Sequence, residues 1–220
     1  TEIYTLSLHD ALPIWVIPLA LGLLGSLVQA LSGSALYRQA SFLVDSLGKR
    51  IFPNHIDIVE DPFIPGAMGT GPFDDEGVAT AARDVVKGGR LKGYFLSSYS
   101  ARKLGMQTTG NAGGSHNLRL SSRLTARGDN FARMLKKMGT GLLVTEVMGQ
   151  GVNYVTGDYS RGASGFWVEN GEIQYPVEEI TIAGNLADMY RGIVAVGNDE
   201  LTRGTKTCGS VLIEEMAVAG

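Results

Sequence analysis

Cys208 and the histidines are the side chains of this sequence whose types are best suited to bind a zinc ion, and Cys208 could also act as a nucleophile. A catalytic zinc site needs three protein ligands, and a cysteine nucleophile needs a base within hydrogen-bond reach. The sequence has one cysteine and three histidines, and His55 and His116 stand far from Cys208 along the chain. Nothing in the spacing brings them together. Cys208 is therefore predicted to be a small buried side chain, and a catalytic pair with either histidine is the alternative.

His116 lies in the segment GNAGGSHN, whose three glycines and two asparagines allow close approach of the backbone. Loops of this kind often carry binding residues. The segment therefore predicts a loop tip at which His116 contacts a peptide or a partner protein. The alternative is a histidine on a surface loop without a binding role.

A second glycine-rich segment spans residues 149–165 and has the sequence GQGVNYVTGDYSRGASG. It lacks the lysine of a phosphate-binding loop and the spacing of a dinucleotide fingerprint, and no serine of the chain stands in a GxSxG elbow. Two interpretations of Asp158, Tyr159 and Arg161 are equally open. Either these side chains line a groove that contacts a peptide or a partner, or the aspartate and the arginine stabilise a turn.

The sequence FWVENGEIQY, residues 166–175, is typical of a β-hairpin. Asn170 and Gly171 suit a two-residue type I′ turn, because both turn positions need a positive φ. Such a turn places one set of side chains on the core face in two cross-strand pairs, Val168 with Ile173 and Phe166 with Tyr175. Trp167 is expected on the opposite face, where it is a candidate for contact with a peptide or a partner.

Glycines and capping residues predict further elements. These are a hairpin turned by Gly88 and Gly89 between strands 83–86 and 91–96, a helix over 98–105, a helix capped by Asp129 and ended by Gly139, and a strand over 142–147. Strands and helices do not alternate regularly along the chain. The order favours an α+β fold, with mainly antiparallel hairpins and a few packed helices, over a doubly wound sheet.

The composition is typical of a folded domain and not of a chain that binds nucleic acid or crosses a membrane. The 220 residues are 44% hydrophobic, with a net charge of -3, which allows a sizeable core and gives no electrostatic reason to bind nucleic acid. A single cysteine suits a reducing cytoplasm. Residues 11–31 carry no charge. They include two prolines and lack a basic flank, so a core helix over 19–36 is favoured over a membrane span.

Five segments resemble successive parts of the TldD/PmbA family, and of its PmbA-type (TldE-type) chains in particular. They are SALYRQASFLVDSLGKRIFP (34–53), GPFDDEGV (71–78), SYSARKLGM (98–106), the stretch 141–186 and TCGSVLIEEMAVAG (207–220). The resemblance implies the C-terminal half of a protein about twice as long, with residues 15–220 as one domain. Residues 1–14 have no counterpart and resemble a translated sequencing adaptor, so they are excluded from the expected fold.

The family consists of two-subunit intracellular metalloproteases, in which the TldD-type chain holds zinc through an HExxxH motif and a cysteine near the C-terminus. In this chain the corresponding helix has the sequence LLGSLVQALSG. Leu24 and Gly25 match the first histidine and the glutamate, and Gln29 matches the second histidine. None of the three can replace its counterpart, because an amide is at best a poor zinc ligand. Cys208 matches the cysteine of the family, and it either is simply buried or faces the cleft of a lost metal site.

The resemblance therefore implies a cytoplasmic subunit without zinc that associates with a zinc-bearing TldD-type partner. Together the two chains would degrade or mature small unfolded peptides, and this chain would complete a chamber and offer sheet edges to an extended peptide. Two other classes stay open. One is a self-sufficient metallopeptidase with ligands from the missing half or from His55, His116 and Cys208. The other is a scaffold or binding module without enzymatic activity.

Overall fold

The computed structural model describes residues 9–11 and 13–220, and these residues divide into two compact units. The first unit contains the described residues up to Ala20 together with Leu124–Leu201 and Gly209–Gly220. The second contains Leu21–Arg123 and Thr202–Cys208. Most of the segment interpreted as an adaptor, residues 1–8 and 12, lies outside the described residues.

Within the described residues the chain forms fourteen strands and five helices, which confirms the predicted α+β class. The strands are β1 (His9–Ala11), β2 (Pro13–Trp15), β3 (Ile56–Asp61), β4 (Arg83–Lys87), β5 (Arg90–Leu91), β6 (Asn117–Ser122), β7 (Gly141–Met148), β8 (Asp158–Glu169), β9 (Glu172–Asn185), β10 (Ile193–Val196), β11 (Leu201–Arg203), β12 (Lys206–Cys208), β13 (Val211–Ile213) and β14 (Met216–Ala219). The helices are α1 (Ile17–Ala30), α2 (Gly33–Tyr37), α3 (Ser98–Lys103), α4 (Phe131–Met138) and α5 (Leu186–Arg191).

The sheet of the first unit has eight strands in the order β1-β14-β9-β8-β7-β2-β13-β10. Neighbouring strands are antiparallel except β2 and β7, which run parallel. Ile14 of β2 is the last residue of the segment interpreted as an adaptor. It is fully buried and lies opposite Leu143 of β7 and Leu212 of β13. Residue 14 is therefore part of the core of this unit.

The core of the first unit forms where α4 packs on this sheet. Three residues at helical spacing on α4 and four residues of the strands make one buried cluster, which consists of Met134, Leu135, Met138, Ile14, Leu143, Val168 and Leu212. The helix begins after Asn130, whose side chain accepts a hydrogen bond from N of Arg133 (3.1 Å). The predicted cap is therefore wrong by one residue. The carboxylate of Asp129 accepts instead from Nζ of Lys137 (2.7 Å).

The turn of the long β8–β9 hairpin is the type I′ turn that the sequence predicts. Asn170 has a φ of 54° and Gly171 a φ of 76°. Val168 lies opposite Ile173, as predicted. Val168 is fully buried, but Ile173 is 47% exposed, so the prediction that this pair belongs to the core is wrong for Ile173.

Further from the turn, the register of the hairpin differs from the prediction. Phe166 lies opposite Pro176, whereas Tyr175 lies opposite Trp167. The shift occurs between Trp167 and Val168, where β9 has one more residue than β8. This is a β-bulge, which leaves the extra residue unpaired. Trp167 and Tyr175 therefore lie on the same face of the hairpin, whereas the sequence pattern places them on opposite faces.

The sheet of the second unit has six strands in the order β11-β12-β6-β3-β4-β5. Strands β12 and β6 are parallel, and β6, β3, β4 and β5 are antiparallel. Gly88 (φ 55°) and Gly89 (φ 73°) turn β4 into β5, which confirms the predicted hairpin. The second strand is shorter than the predicted 91–96. N of Leu91 donates to O of Lys49 (3.0 Å), so a preceding loop covers this edge.

The apolar segment 19–36 forms two helices and not the single one predicted. Helix α1 ends at Ala30, and α2 begins after Ser32, whose Oγ accepts from N of Ala35 (3.4 Å). Of the apolar residues that stand at helical spacing in this segment, Leu23, Leu27, Ala30 and Leu31 are buried, and Ala35 is half-buried. Among the described residues, no helix is both long enough and apolar enough to cross a membrane.

Candidate functional site

Helix α1 carries the three positions that the family resemblance assigns to the metal motif. Leu24 is 1% exposed and belongs to the core, whereas Gln29 is exposed. A Cβ atom at Gly25 would lie 3.9 Å from Cε of Lys206, and one at Gly22 would have no atom within 4 Å. We define the outer face of α1 by Gly22, Gly25 and Gln29. Two of the three residues of this face are glycines without a side chain. Its one functional group is the amide of Gln29.

The side chains at the motif positions do not fit a zinc ion. Cys208, the remaining match, is fully buried in β12. Zinc takes imidazole, thiolate or carboxylate ligands in tetrahedral geometry. In residues 9–11 and 13–220, no three His, Cys, Asp or Glu side chains gather where they could hold a metal ion. Nδ1 of His55 contacts Oγ of Ser122 (2.9 Å). No catalytic step through zinc follows from these residues.

A pocket of about 280 Å³ lies in the second unit, where the end of α1 meets α2 and α3. None of its lining residues carries a charge. Its polar side chains are Ser32, Ser34, Ser97, Ser100, Tyr37, Tyr99 and Asn111. Hydroxyl and amide groups both donate and accept hydrogen bonds. An uncharged pocket with such groups suits the main-chain amides of a peptide better than it suits an ion.

Local hydrogen bonds explain why the serine hydroxyls stand in the pocket wall. Ser97 accepts from N of Ser100 (3.2 Å), and Ser100 accepts from N of Ser97 (3.0 Å). This reciprocal pair is a capping box, which satisfies N–H groups at the start of α3. The rings of Tyr37 and Tyr99, which also line the pocket, meet edge to face with centroids 5.7 Å apart. The wall of the pocket is therefore held by contacts within the unit.

A buried ion pair supports the loop on another side of the pocket. Glu60 is 1% exposed, and its carboxylate accepts from Nε of Arg83 (2.7 Å). The same carboxylate accepts from Nδ2 of Asn111 (2.8 Å) and from the backbone N of His116 (2.8 Å). A buried charge is tolerated when it is paired and hydrogen-bonded in this way. The network holds residues 111–116 to the end of β3.

His116 bridges two loops and does not occupy a free loop tip, which corrects the predicted geometry. Its Nδ1 faces O of Gly69 (3.2 Å) and its Nε2 faces O of Gly110 (2.8 Å). Both ring nitrogens donate at once only when the imidazole carries two protons. A contact of His116 with a peptide or a partner stays a prediction, and it would have to compete with these two bonds.

Tyr159 and Arg161 lie on β8 in the first unit and have partners within it. Tyr159 is 3% exposed, and its ring meets that of Trp15 edge to face at 5.6 Å. Burial, partly opposed by Arg161, raises the pKa of Tyr159 to about 12. Nη2 of Arg161 donates to O of Gly149 (2.6 Å), and Asp158 accepts from a hydroxyl two residues earlier (2.6 Å). These contacts favour the turn network over the groove.

Trp167 is half-buried on the same strand. Its Nε1 donates to Oε1 of Glu169 (3.0 Å). Glu169 lies opposite Glu172 beside the turn, and like charges at such a pair are destabilising. The indole N–H partly offsets this repulsion. Because the ring keeps an exposed part, contact of Trp167 with a peptide or a partner stays a prediction.

The pocket at the end of α1 is absent from the sequence predictions. Two parts of the pocket wall could be recognised from local sequence. Ser97 and Ser100 have the spacing of a capping box, and two glycines precede Ser115. That these walls meet the end of α1 depends on contacts between residues far apart in the chain. Local patterns do not report such contacts.

Comparison with known proteins gives consistent matches. A family model described as the PmbA/TldA metallopeptidase C-terminal domain matches residues 11–220. The chain is 57% identical over 215 residues to metalloprotease PmbA of Escherichia coli O157:H7, and 50% identical over 215 residues to the metalloprotease PmbA homolog of Haemophilus influenzae. Each alignment covers 98% of this chain and 47% of the relative. The chain therefore spans about half the length of these curated relatives.

Crystal structures of other proteins share the fold. A proposed modulator of a DNA gyrase from Thermotoga maritima MSB8 superposes with a TM-score of 0.88 and 35% identity, over 99% of this chain and 51% of that one. TldE from Thermococcus kodakarensis superposes with a TM-score of 0.81 and 23% identity, over 100% of this chain and 52% of that one. At the latter identity the likeness shows the fold alone.

Proposed function

We propose, because this chain belongs to the PmbA/TldD metallopeptidase family, that it is part of a subunit that assists peptide cleavage without holding zinc itself. Its partner is a zinc-bearing TldD-type chain. The observation that carries the proposal is the identity of Leu24, Gly25 and Gln29, which supply neither imidazole nor carboxylate at the motif positions. Hydrolysis assisted by zinc needs such ligands and a base beside the activated water. We therefore assign the metal and the base to the partner.

The pocket at the end of α1 supports a role in holding the peptide. Its uncharged serine and tyrosine hydroxyls can pair with main-chain N–H and C=O groups without demanding a particular peptide side chain. On the outer face of α1, Gly22 and Gly25 leave room for an extended chain. An unfolded peptide offers unpaired main-chain groups along its length. Small unfolded peptides are therefore the substrate class that we propose.

Two other functions are outcomes of the test. A self-sufficient metallopeptidase would contain about one zinc ion per chain, as a tightly held catalytic metal does. A scaffold or binding module would not associate with a TldD-type chain. We place the assembly in the cytoplasm, because a chain with one cysteine needs no oxidising compartment.

The test uses the full-length protein that carries this sequence as its C-terminal half. Alone, it is expected to contain no stoichiometric zinc by elemental analysis and to leave unfolded peptides intact. Mixing with the TldD-type subunit is expected to produce cleavage that a chelator abolishes. Cys208→Ala should keep this activity, whereas loss of the partner's motif glutamate should lower it roughly 100-fold or more. Cleavage by this protein alone, with about one zinc per chain that is lost in Cys208→Ala, would contradict the proposal.

A further inference from the structure

We propose that residues 62–82, named here the display loop, dock onto an apolar surface of the TldD-type partner that is bordered by lysine and arginine side chains. The inference rests on the proposed function, because it takes that subunit as the partner. The display loop joins β3 to β4 and contains no helix or strand. Connections of this length in compact domains are usually either functional segments or disordered linkers.

Four large apolar side chains of the display loop face solvent. The exposed fraction is 53% for Phe63, 43% for Ile64, 81% for Met68 and 62% for Phe73. Single exposed apolar residues are ordinary on protein surfaces. Four within one loop are more than this ordinary scatter, and they mark the loop as a candidate site for a partner. Phenylalanine and methionine are also enriched in protein interfaces.

Hydrogen bonds close the first part of the display loop on itself. N of Gly71 donates to O of Pro62 (3.1 Å), and Oγ1 of Thr70 donates to O of Ile64 (2.5 Å). Asn117 of β6 accepts from N of Gly69 (2.8 Å). A Cβ atom at Gly69 would lie 2.7 Å from N of Asn117, so the close approach requires glycine. These bonds gather Phe63, Ile64 and Met68 in one closed turn of chain.

Asp74 fixes the second part of the display loop. Its carboxylate accepts from N of Glu76 and N of Val78 (2.9 Å each) and from N of Ala112 (2.9 Å). The last bond ties the loop to residues 111–116. A loop that is ordered before binding loses less conformational entropy when a partner docks. The display loop is therefore organised for binding while its apolar side chains still face water.

The charge of the display loop selects the chemistry of the partner. Its charged residues are Asp74, Asp75 and Glu76, and it contains no lysine, arginine or histidine. Asp74 is buried, but Asp75 and Glu76 are exposed and follow Phe73 closely in the chain. Charges at the rim of an interface are matched by opposite charges on the partner. The complementary surface therefore combines an apolar centre with a basic border.

The same charge argues against two other occupants. A symmetric contact between two copies of this chain would bring equivalent patches together, and acidic groups facing acidic groups lower affinity. The negative surface of a membrane would repel them as well. A different protein with a basic border satisfies both the apolar and the acidic features of the loop.

The experiment measures the Kd between the full-length protein and the TldD-type subunit by isothermal titration calorimetry. The double variant Met68→Ser/Phe73→Ser is expected to weaken binding ~10-fold or more, because it removes two interface anchors. Asp75→Lys is expected to weaken binding and to reduce its sensitivity to salt. Leu124→Ser is the matched control, since Leu124 is 66% exposed in the other unit, and it should leave the Kd unchanged.

The remaining outcomes overturn the inference. An unchanged Kd in both display-loop variants places the interface elsewhere and leaves the proposed function intact. A dimer of the wild-type chain that the double variant dissociates assigns the loop to a second copy. A lower Tm of the isolated full-length double variant, with an unchanged Kd, assigns it to contacts with the other half of the same protein. If the wild-type protein does not bind the TldD-type subunit at all, the proposed function fails together with the docking site.

Discussion

The outer face of α1 and the display loop belong to the same unit, and they are opposite kinds of surface. The outer face of α1 is regular backbone that presents two glycines and one amide. The display loop has no regular backbone, yet the side chains of Asp74, Asn117 and His116 bond to its main chain. It presents four large apolar side chains. The outer face of α1 therefore has few side chains and is open. The conformation of the display loop depends on particular side-chain hydrogen bonds.

The difference between the two surfaces indicates where functional side chains can be replaced without unfolding the protein. A helix satisfies its backbone groups internally, and α1 is held by Leu23, Leu27 and Ala30 on its buried side. The residues of its outer face, which include Gly25 and Gln29, are therefore free to change. The display loop has less freedom, because the side chains of Asp74 and Asn117 bond to its main chain.

The largest effect is expected when the support beneath residues 111–116 is removed. Arg83→Met leaves the carboxylate of Glu60, which is 1% exposed, without its cation. Breaking a buried ion pair from one side costs about 3 kcal/mol, because the remaining charge stays buried. Urea denaturation of the variant should show a free energy of unfolding lower by about this amount.

Lys87→Met is the control for this experiment. Lys87 is 54% exposed, and its Nζ lies 3.5 Å from Asp84 and 3.7 Å from Asp57. An exposed ion pair contributes less than about 1 kcal/mol. Equal losses in Arg83→Met and Lys87→Met would contradict the assignment of a supporting role to the buried pair.

A pH-dependent effect of intermediate size is expected at Asp74. Burial raises the pKa of this carboxyl, but hydrogen bonds from N of Ala112, Val78 and Glu76 outweigh it and hold the pKa below its ordinary value. A lowered folded-state pKa gives stability that is present above the unfolded value and is lost as the pH falls through the folded value. Asp74→Asn should cost ~1 to 2 kcal/mol at pH 6 and progressively less below pH ~4. Thermal unfolding of both proteins from pH 3 to pH 7 measures the difference, and a constant gap over this range would exclude the charge as its cause.

Elements that depend on neighbours in sequence could be predicted. The positive φ of Asn170 and Gly171, and of Gly88 and Gly89, follows from residue type alone. The apolar character of residues 19–36 likewise identified a buried helical segment. Local sequence therefore determined turns and faces, and it left the ends of elements and one strand register open.

Features that depend on distant contacts could not be predicted. Asn117 fixes Gly69 from 48 positions away, so nothing near the display loop in sequence reports its order. The extra residue of β9 near Tyr175 changes which residues of β8 and β9 lie opposite each other. The alternation of apolar and polar residues in the sequence gives no sign of this shift. For the candidate site, the identities of Leu24, Gly25 and Gln29 were available from a family resemblance. The uncharged pocket beside them became visible only when the fold brought its walls together.

The smallest effect, with a sign opposite to the others, is expected on the outer face of α1. Gly25→Ala places a methyl group in open space 3.9 Å from Cε of Lys206, and alanine is better than glycine within a helix by ~0.5 to 1 kcal/mol. Urea denaturation should therefore show a small gain in the free energy of unfolding. Gly33→Ala is the matched control, because its methyl group would overlap the side chain of Ser100 beneath α2, and overpacking a buried site costs ~1 to 3 kcal/mol. Destabilisation by Gly25→Ala would mean that another part of the full-length protein closes over this face, and the face could not then be open to a peptide.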